Sequence, residues 1–101
     1  MPMTIVITRN VAPRFRGFLA SALLEIAPGV YSNPRLTRGV RERVWGVCED
    51  WFYELHGASE ASIVMTWQDR NASGGQGVKT LGLPTREFFD HEGFLLSRLA
   101  D

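Results

Sequence analysis

Apolar positions along the chain follow two periodicities, one typical of strands and the other typical of helices. Thr4 to Thr8, Ser62 to Gln68 and Val78 to Leu83 are short runs rich in β-branched and other apolar residues. Two longer stretches, Phe15 to about Leu24 and Leu36 to about His56, carry apolar side chains every three or four residues. We therefore predict strands in the first three segments and helices in the other two.

Turn-forming residues and two further apolar runs complete the predicted order. Pro28-Gly29 is a turn signal, and Val30-Tyr31 after it marks the centre of a short second strand. The segment 69–77 is expected to be a flexible connection, and Phe94 to Leu99 a last strand. The order β-α-β-α-β-β with a tail predicts an α+β, ferredoxin-like βαββαβ-type fold with an extra C-terminal strand. We expect one domain over residues 1–101, in which residues 84–101 form a tail strand.

The predicted sheet is apolar on both faces. In the first strand, Ile5 and Ile7 point to one face and Val6 to the other, and the third strand alternates in the same way at Val64 and Met65. Two helices cover only one face of a sheet in this topology. A second copy of the chain is the simplest cover for the other face, so we predict a homodimer formed through the sheet.

Composition places the chain among ordinary globular domains. It has 101 residues, of which 45% are hydrophobic, and a single cysteine, Cys48. These values exclude a disordered chain and an internal disulfide framework. We find neither a long apolar run of a membrane span nor a secretory leader, so we expect no membrane partner. The single cysteine makes a reducing cytoplasm the simplest location.

Charge is distributed unevenly, although the formal net charge is zero. Residues 1–48 hold seven Arg against two acids, a balance of +5, and residues 49–101 hold four cations against nine acids, a balance of −5. Guanidinium groups bind phosphate as bidentate forks, so an arginine-rich half indicates a polyanion site. The alternative is that the arginines reflect the base composition of the genome.

Two groups of arginines are candidate phosphate contacts. Arg14 and Arg16 lie at the start of the first helix, where cations oppose the helix dipole, so phosphate binding explains them better than stability does. Asn10 just before them adds a neutral hydrogen-bonding group. Arg38 and Arg41 share a face of the second helix, where a solvated surface with an Arg38–Glu42 pair is the alternative.

Catalytic constellations are weak in this sequence. The acidic run Asp90-His91-Glu92 is expected to be a solvated turn before Gly93. Cys48 and the two histidines, His56 and His91, lack the spacing of a zinc site or of a nucleophile with its base. We therefore predict no catalytic residues and no metal site.

Several segments together resemble a known family. The opening Ile5 to Leu19 closely resembles CRISPR-associated protein two of the type I-E subgroup, and later segments keep the same register. The elements that carry the resemblance are Pro13-Arg14-Phe15-Arg16-Gly17, Ala27-Pro28-Gly29-Val30-Tyr31, Val40-Arg41-Glu42-Arg43-Val44-Trp45, Val64-Met65-Thr66-Trp67 and Thr80-Leu81-Gly82-Leu83.

The resemblance implies a structural role in CRISPR spacer acquisition. It implies a symmetric dimer that bridges two dimers of the CRISPR-associated protein one integrase and holds double-stranded DNA, both protospacer and CRISPR repeat, by backbone contacts. Site residues are implied at matching positions only. The implied DNA contacts are Asn10, Arg14, Arg16, Arg41 and Arg86, with Thr85 in place of a first arginine before Arg86. The implied integrase contacts, made by strand addition, are Phe94, Leu95, Leu96 and Leu99.

One departure from the family pattern bears on catalysis. Many members carry an acid at the end of the first strand, proposed as a metal ligand for endoribonuclease activity, and this chain has Arg9 there. We therefore expect little or no intrinsic nuclease activity and no cofactor. The alternative function is a metal-dependent endoribonuclease or endonuclease, which would require Mg²⁺. A third class, a small-ligand-sensing dimer of similar fold, would require a polar pocket at the dimer interface.

Overall fold

Over the residues that the structure describes, the protein folds into seven strands, two α-helices and one short 3₁₀ helix, Ser73–Gly75. The structure is a computed structural model, and it describes residues 3–56, 60–83 and 86–99. In chain order the elements are β1 (Thr4–Arg9), α1 (Pro13–Ala20), β2 (Leu24–Ala27), β3 (Val30–Asn33), α2 (Arg38–His56), β4 (Ser62–Gln68), β5 (Gln76–Leu81), β6 (Arg86–His91) and β7 (Phe94–Leu99). None of the helices in these ranges is both long and apolar enough to cross a membrane.

The first five strands form one antiparallel sheet in the order β2-β3-β1-β4-β5. The strand β1 lies between β3 and β4. The helix α1 connects β1 to β2, which are separated in the sheet by β3, and α2 connects β3 to β4, which flank β1. This arrangement is the split βαβ topology of the ferredoxin-like fold, with β5 added beside β4. The predicted fold class is confirmed.

Both helices pack on one face of the sheet. Val6 is fully buried and pairs across the sheet with Tyr31 on one side and Met65 on the other. These residues join Phe15 of α1 and Cys48 of α2 in a single hydrophobic core. The core therefore occupies the layer between the helices and this face.

The opposite face of the sheet has no helix over it among the described residues. Cross-strand pairing places Ile5, Ile7, Val30, Val64 and Val78 on this surface, which we call the open sheet face. Ile7 is 44% exposed in the single chain. The predicted two-sided apolar character of the sheet is thus present, as the expected dimer requires.

The end of α1 differs from the prediction. We expected the helix to continue to about Leu24, but it ends at Ala20, and Leu24 begins β2. The Ser21 hydroxyl donates to the Phe18 carbonyl at 2.6 Å, and the Ala22 and Leu23 amides donate to Leu19. Leu23 is buried beneath this turn. It lies four residues after Leu19 because the turn returns it to the core, and not because the helix continues. Pairing of β2 with β3 then outweighs helical propensity.

The start of α2 also lies later than the sequence suggests. Asn33 ends β3, and its side-chain oxygen accepts the Arg35 amide at 2.8 Å, which closes a local turn. Thr37 precedes the helix, and its hydroxyl accepts the Val40 amide at 3.2 Å, as an N-cap does. The predicted end near His56 and the strand Ser62–Gln68 are confirmed.

The C-terminal segment is a hairpin where we expected one strand. The strand β7 has the predicted bounds, and β6 pairs with it as a separate two-stranded sheet. Glu92 and Gly93 both have positive φ, 53° and 86°, which is the conformation of a two-residue hairpin turn. The turn before Gly93 was predicted, but Phe88-Phe89 between charged residues lacks the alternation that marks a strand.

The connection between β4 and β5 is ordered by its own backbone. The Asp69 amide donates to the Gly75 carbonyl at 2.9 Å, and the Gly75 amide donates to Ala72 at 2.9 Å. The Asp69 carboxylate accepts the Asn71 amide, also at 2.9 Å. The loop predicted as flexible is therefore a hydrogen-bonded turn. Leu95 of β7 lies against it, since a Cβ built on Gly74 would come within 2.5 Å of the Leu95 backbone nitrogen.

Gly82 lets the chain leave β5 close to the core. Its φ is +77°, and a Cβ there would lie 2.1 Å from the Ala61 carbonyl oxygen and 2.6 Å from Phe52. Gly82→Ala should therefore lower the free energy of unfolding by about 2–4 kcal/mol, measured by urea denaturation. Gly75→Ala is the matched control, because Gly75 also has positive φ but open space around it, and strain alone costs about 1 kcal/mol. Equal losses in the two variants would contradict the proposed backbone clash.

Candidate nucleic-acid interface

The first candidate site surrounds the start of α1. Asn10 follows β1 with a φ of 56°, and this left-handed residue turns the chain toward the helix. Pro13 occupies the first turn, where its missing N–H costs nothing, and no acid lies in that turn. Phe15 is fully buried, and it anchors the helix to the core while Arg14 and Arg16 on either side remain exposed.

An aromatic cluster positions Arg14. Its guanidinium carbon lies 4.1 Å from the centre of the Trp51 ring, a cation–π contact. The Trp51 ring is itself held by edge contacts with Phe15 at 5.5 Å and Phe18 at 5.3 Å. Arg14 has no carboxylate partner among the described residues, so its N–H groups remain available for an anion.

Arg16 has an internal carboxylate partner. Its Nε and one terminal nitrogen both lie 3.0 Å from Glu25 Oε1. The other oxygen of Glu25 accepts the Gly29 amide at 3.5 Å, and burial, with the nearby Glu25 carboxylate, raises the pKa of Tyr31. Glu25 therefore ties α1 to the β2–β3 turn and offsets part of the charge of Arg16.

This ion pair leaves Arg16 largely accessible. The Arg16 side chain is 74% exposed, whereas that of Glu25 is 21% exposed. Glu25 engages Arg16 through Nε and one terminal nitrogen, so the N–H groups on the other terminal nitrogen stay available to a phosphate.

The structure separates Arg41 from these residues. In the antiparallel β1–β4 pair, Trp67 lies opposite Thr4, at the end of β1 remote from Arg9. The Arg41 guanidinium carbon lies 4.4 Å from the Trp67 ring centre, so it sits at that same end. A six-residue strand spans about 17 Å. Asn10, Arg14 and Arg16 thus gather at one end of the sheet, and Arg41 lies at the other end of the same protomer.

The remaining candidates belong to the C-terminal hairpin. Arg86 begins β6, but its side chain and Thr85 lie outside the described residues. Phe94 is 71% exposed, and Leu96 on the same side of β7 and Leu99 on the other are also exposed. Leu95 is half-buried against Gly74. Three of the four predicted integrase contacts are thus accessible, on a two-stranded sheet whose outer edges are unpaired among the described residues.

Groups suited to covalent or metal chemistry are poorly placed. Cys48 is buried, and burial raises the pKa of its thiol to about 12, so it stays protonated at neutral pH. Over residues 3–56, 60–83 and 86–99, no three His, Cys, Asp or Glu side chains gather as metal ligands would. Glu87 instead pairs with Arg98 at 3.0 Å, which lowers the pKa of that carboxyl.

A comparison with family models identifies the family of this chain. The family model described as CRISPR-associated protein (Cas_Cas2CT1978) matches residues 3–96, nearly the whole chain. The chain belongs to this family of CRISPR-associated, Cas2-type proteins. The match covers every element that positions the candidate site, from β1 through β6 and part of β7.

Some residues that shape the site were not apparent from the sequence. Trp51 and Glu25 position Arg14 and Arg16, yet each lies on a different element from its arginine. Trp67 lies within the predicted strand Ser62 to Gln68, and nothing in that pattern indicates its contact with Arg41. An arginine without a nearby acid in its own helix is the one sequence signal that could have suggested an aromatic partner.

Proposed function

We propose that this Cas2-type protein is a structural, duplex-holding subunit of a CRISPR spacer-acquisition complex of the type I-E subgroup. The observation that carries the proposal is the exposed pair Arg14 and Arg16 at the acid-free start of α1, beside Asn10. Family membership supports the CRISPR context. In this role the arginines contact the sugar–phosphate backbone of double-stranded DNA and release its counterions, without reading sequence.

The open sheet face supports a homodimer within the same proposal. Two copies joined by a two-fold axis through this face present their helices outward, so the start of α1 is repeated on the assembly. Duplicated phosphate contacts suit a rigid duplex better than a single cluster does. The exposed apolar residues of β7 offer a docking strand for the integrase, the CRISPR-associated protein one.

An integration assay tests the proposed role. A CRISPR-associated protein one integrase is incubated with a labelled protospacer duplex and a plasmid that carries the CRISPR repeat, with and without this protein. We expect the complete mixture to integrate the duplex, and the integrase alone to yield at least about tenfold less product, since bridging and positioning raise effective concentration. Equal product without this chain would remove the proposed bridging role.

A cleavage assay addresses the alternative, a metal-dependent nuclease. We expect the pure protein to leave labelled RNA and duplex DNA intact with Mg²⁺ or Mn²⁺, because Arg9 replaces a carboxylate where a hard cation would need one. Chelator-sensitive cleavage that is lost on substitution near Asn10 or Asp90 would favour the nuclease over the scaffold.

A further inference from the structure

A second cationic cleft lies between α2 and the ends of β4 and β5. It has a volume of about 910 Å³, and its charged lining comprises Arg38, Arg41, Arg70 and Lys79 against Glu42 and Asp69, a balance of +2. The amide side chains of Gln68 and Asn71 add neutral donors. Asn10, Arg14 and Arg16 do not line this cleft, whereas Arg41, which the family resemblance implies as a DNA contact, does.

Arg41 is the central group of this cleft. It is only 9% exposed, although it carries a permanent positive charge. Its guanidinium lies over the Trp67 ring and makes no ion pair or hydrogen bond with any residue in the described part of the chain. Burial of a charge is costly unless an opposite charge or hydrogen-bond acceptors compensate it, so the position favours a bound anion.

Trp67 forms the floor beneath this guanidinium. Gly77 on the neighbouring strand permits its position, since a Cβ there would lie 2.1 Å from the Trp67 ring. The indole Nε1 is buried and has no hydrogen-bond partner within the described ranges. An indole N–H can only donate, so both buried polar groups at this floor, Trp67 and Arg41, require an acceptor.

The acids of the cleft do not fill this requirement. Glu42 binds Arg38 at 3.0 Å, and this contact lowers the pKa of the Glu42 carboxyl. The Asp69 carboxylate accepts the Asn71 amide. Arg70 and Lys79, like Arg41, form no ion pair among the residues that the structure describes. A ligand with two negative charges and several acceptor oxygens would match the net charge and the donors together.

We propose that this cleft binds a phosphate monoester dianion, with the Arg41 guanidinium as its principal contact and Lys79 and Arg70 as flanking cations. The phosphate belongs either to a free mononucleotide or to the 5′ terminus of a nucleic-acid strand. The inference does not depend on duplex binding at the start of α1.

Tryptophan fluorescence provides the readout, because Trp45 and Trp67 line the cleft. The full chain is titrated at fixed ionic strength with inorganic phosphate, with adenosine 5′-monophosphate and with adenosine. We expect saturable changes with the two phosphates and none with adenosine. Arg41→Gln should weaken phosphate binding by about 10–100-fold, as the loss of a charge-assisted hydrogen bond does.

Two further variants keep the test decisive. Lys79→Gln changes an exposed side chain of the cleft, so it tests the site even if Arg41→Gln does not fold, and it should weaken binding about three- to tenfold. Arg43→Gln is the matched control, since Arg43 is exposed on α2 and does not line the cleft. No saturable response to phosphate in the parent protein, or equal losses in Arg43→Gln and Lys79→Gln, would overturn the proposal.

Short oligonucleotides distinguish the two sources of phosphate. A 5′-phosphorylated strand that competes with adenosine 5′-monophosphate would assign the site to a strand terminus, and failure of that strand to compete would assign it to free nucleotides. Equal competition by the 5′-hydroxyl strand would overturn the proposal, because the terminal phosphate would then not be the recognised group.

Discussion

Replacing Arg14 and Arg16 together by alanine should weaken binding to all duplex DNA sequences alike and flatten the salt dependence. In the proposed dimer the double substitution removes four guanidinium groups. Each phosphate contact contributes about −0.9 to the slope of log K against log salt, so the slope should become shallower by about 3–4. At about 0.1 M salt the affinity should fall by roughly 10²–10³-fold. Fluorescence anisotropy of a labelled duplex at several salt concentrations measures both quantities.

Arg43→Ala provides a control for the loss of positive charge. Arg43 is an exposed arginine on α2 without an ion pair among the described residues. If Arg43 does not contact phosphate, Arg43→Ala should change the slope of log K against log salt by less than 1 per protomer. An unaltered slope in the Arg14/Arg16 variant, or an equal change in Arg43→Ala, would remove the start of α1 from the interface.

Glu25 offers a test in the opposite direction. Its carboxylate holds Arg16, so Glu25→Gln should free that guanidinium while the amide oxygen still accepts the Gly29 amide. Duplex affinity should rise about two- to fivefold at low salt, in line with the small energy of an exposed ion pair. The same anisotropy titration compares this variant with the double arginine variant.

Strong periodicity made the central elements of the fold predictable. The strand Ser62–Gln68 and the helix ending at His56 carry regular apolar spacing over seven or more residues, and a pattern of that length distinguishes a strand from a helix. The end of α1 could not be predicted in this way. Leu23 keeps helical spacing only because the turn after Ala20 returns it to the core, which depends on packing against other elements.

The candidate site was predictable in its residue types but not in its contacts. Arg14 and Arg16 attract attention because cations oppose the dipole at a helix start. Their partners, Trp51 and Glu25, come from other elements and become neighbours only through the tertiary fold. The position of Arg41 depends on α2 crossing over Trp67 near the start of β1, which no local pattern in the sequence specifies.

The substitution Ile7→Glu tests directly whether the proposed homodimer forms through the sheet. Ile7 lies near the middle of the open sheet face, between Val30 and Val64 on the neighbouring strands. In a two-fold interface the substitution places two carboxylates in an apolar environment. Burial of an unpaired charge costs several kcal/mol, so the dissociation constant of the dimer should rise by about 10³-fold or more.

The isolated fold should tolerate this change, because Ile7 is 44% exposed in the single chain and does not belong to the core. Sedimentation velocity at micromolar concentration should therefore show a dimer for the parent protein and a folded monomer for Ile7→Glu. Leu55→Glu is the matched control, since Leu55 is 42% exposed but lies on α2, away from the sheet. A stable dimer of Ile7→Glu would show that the copies do not meet through the open sheet face. A monomer that nevertheless bound duplex with the parent salt slope would separate DNA binding from dimerisation, because half of the arginine contacts would then be sufficient.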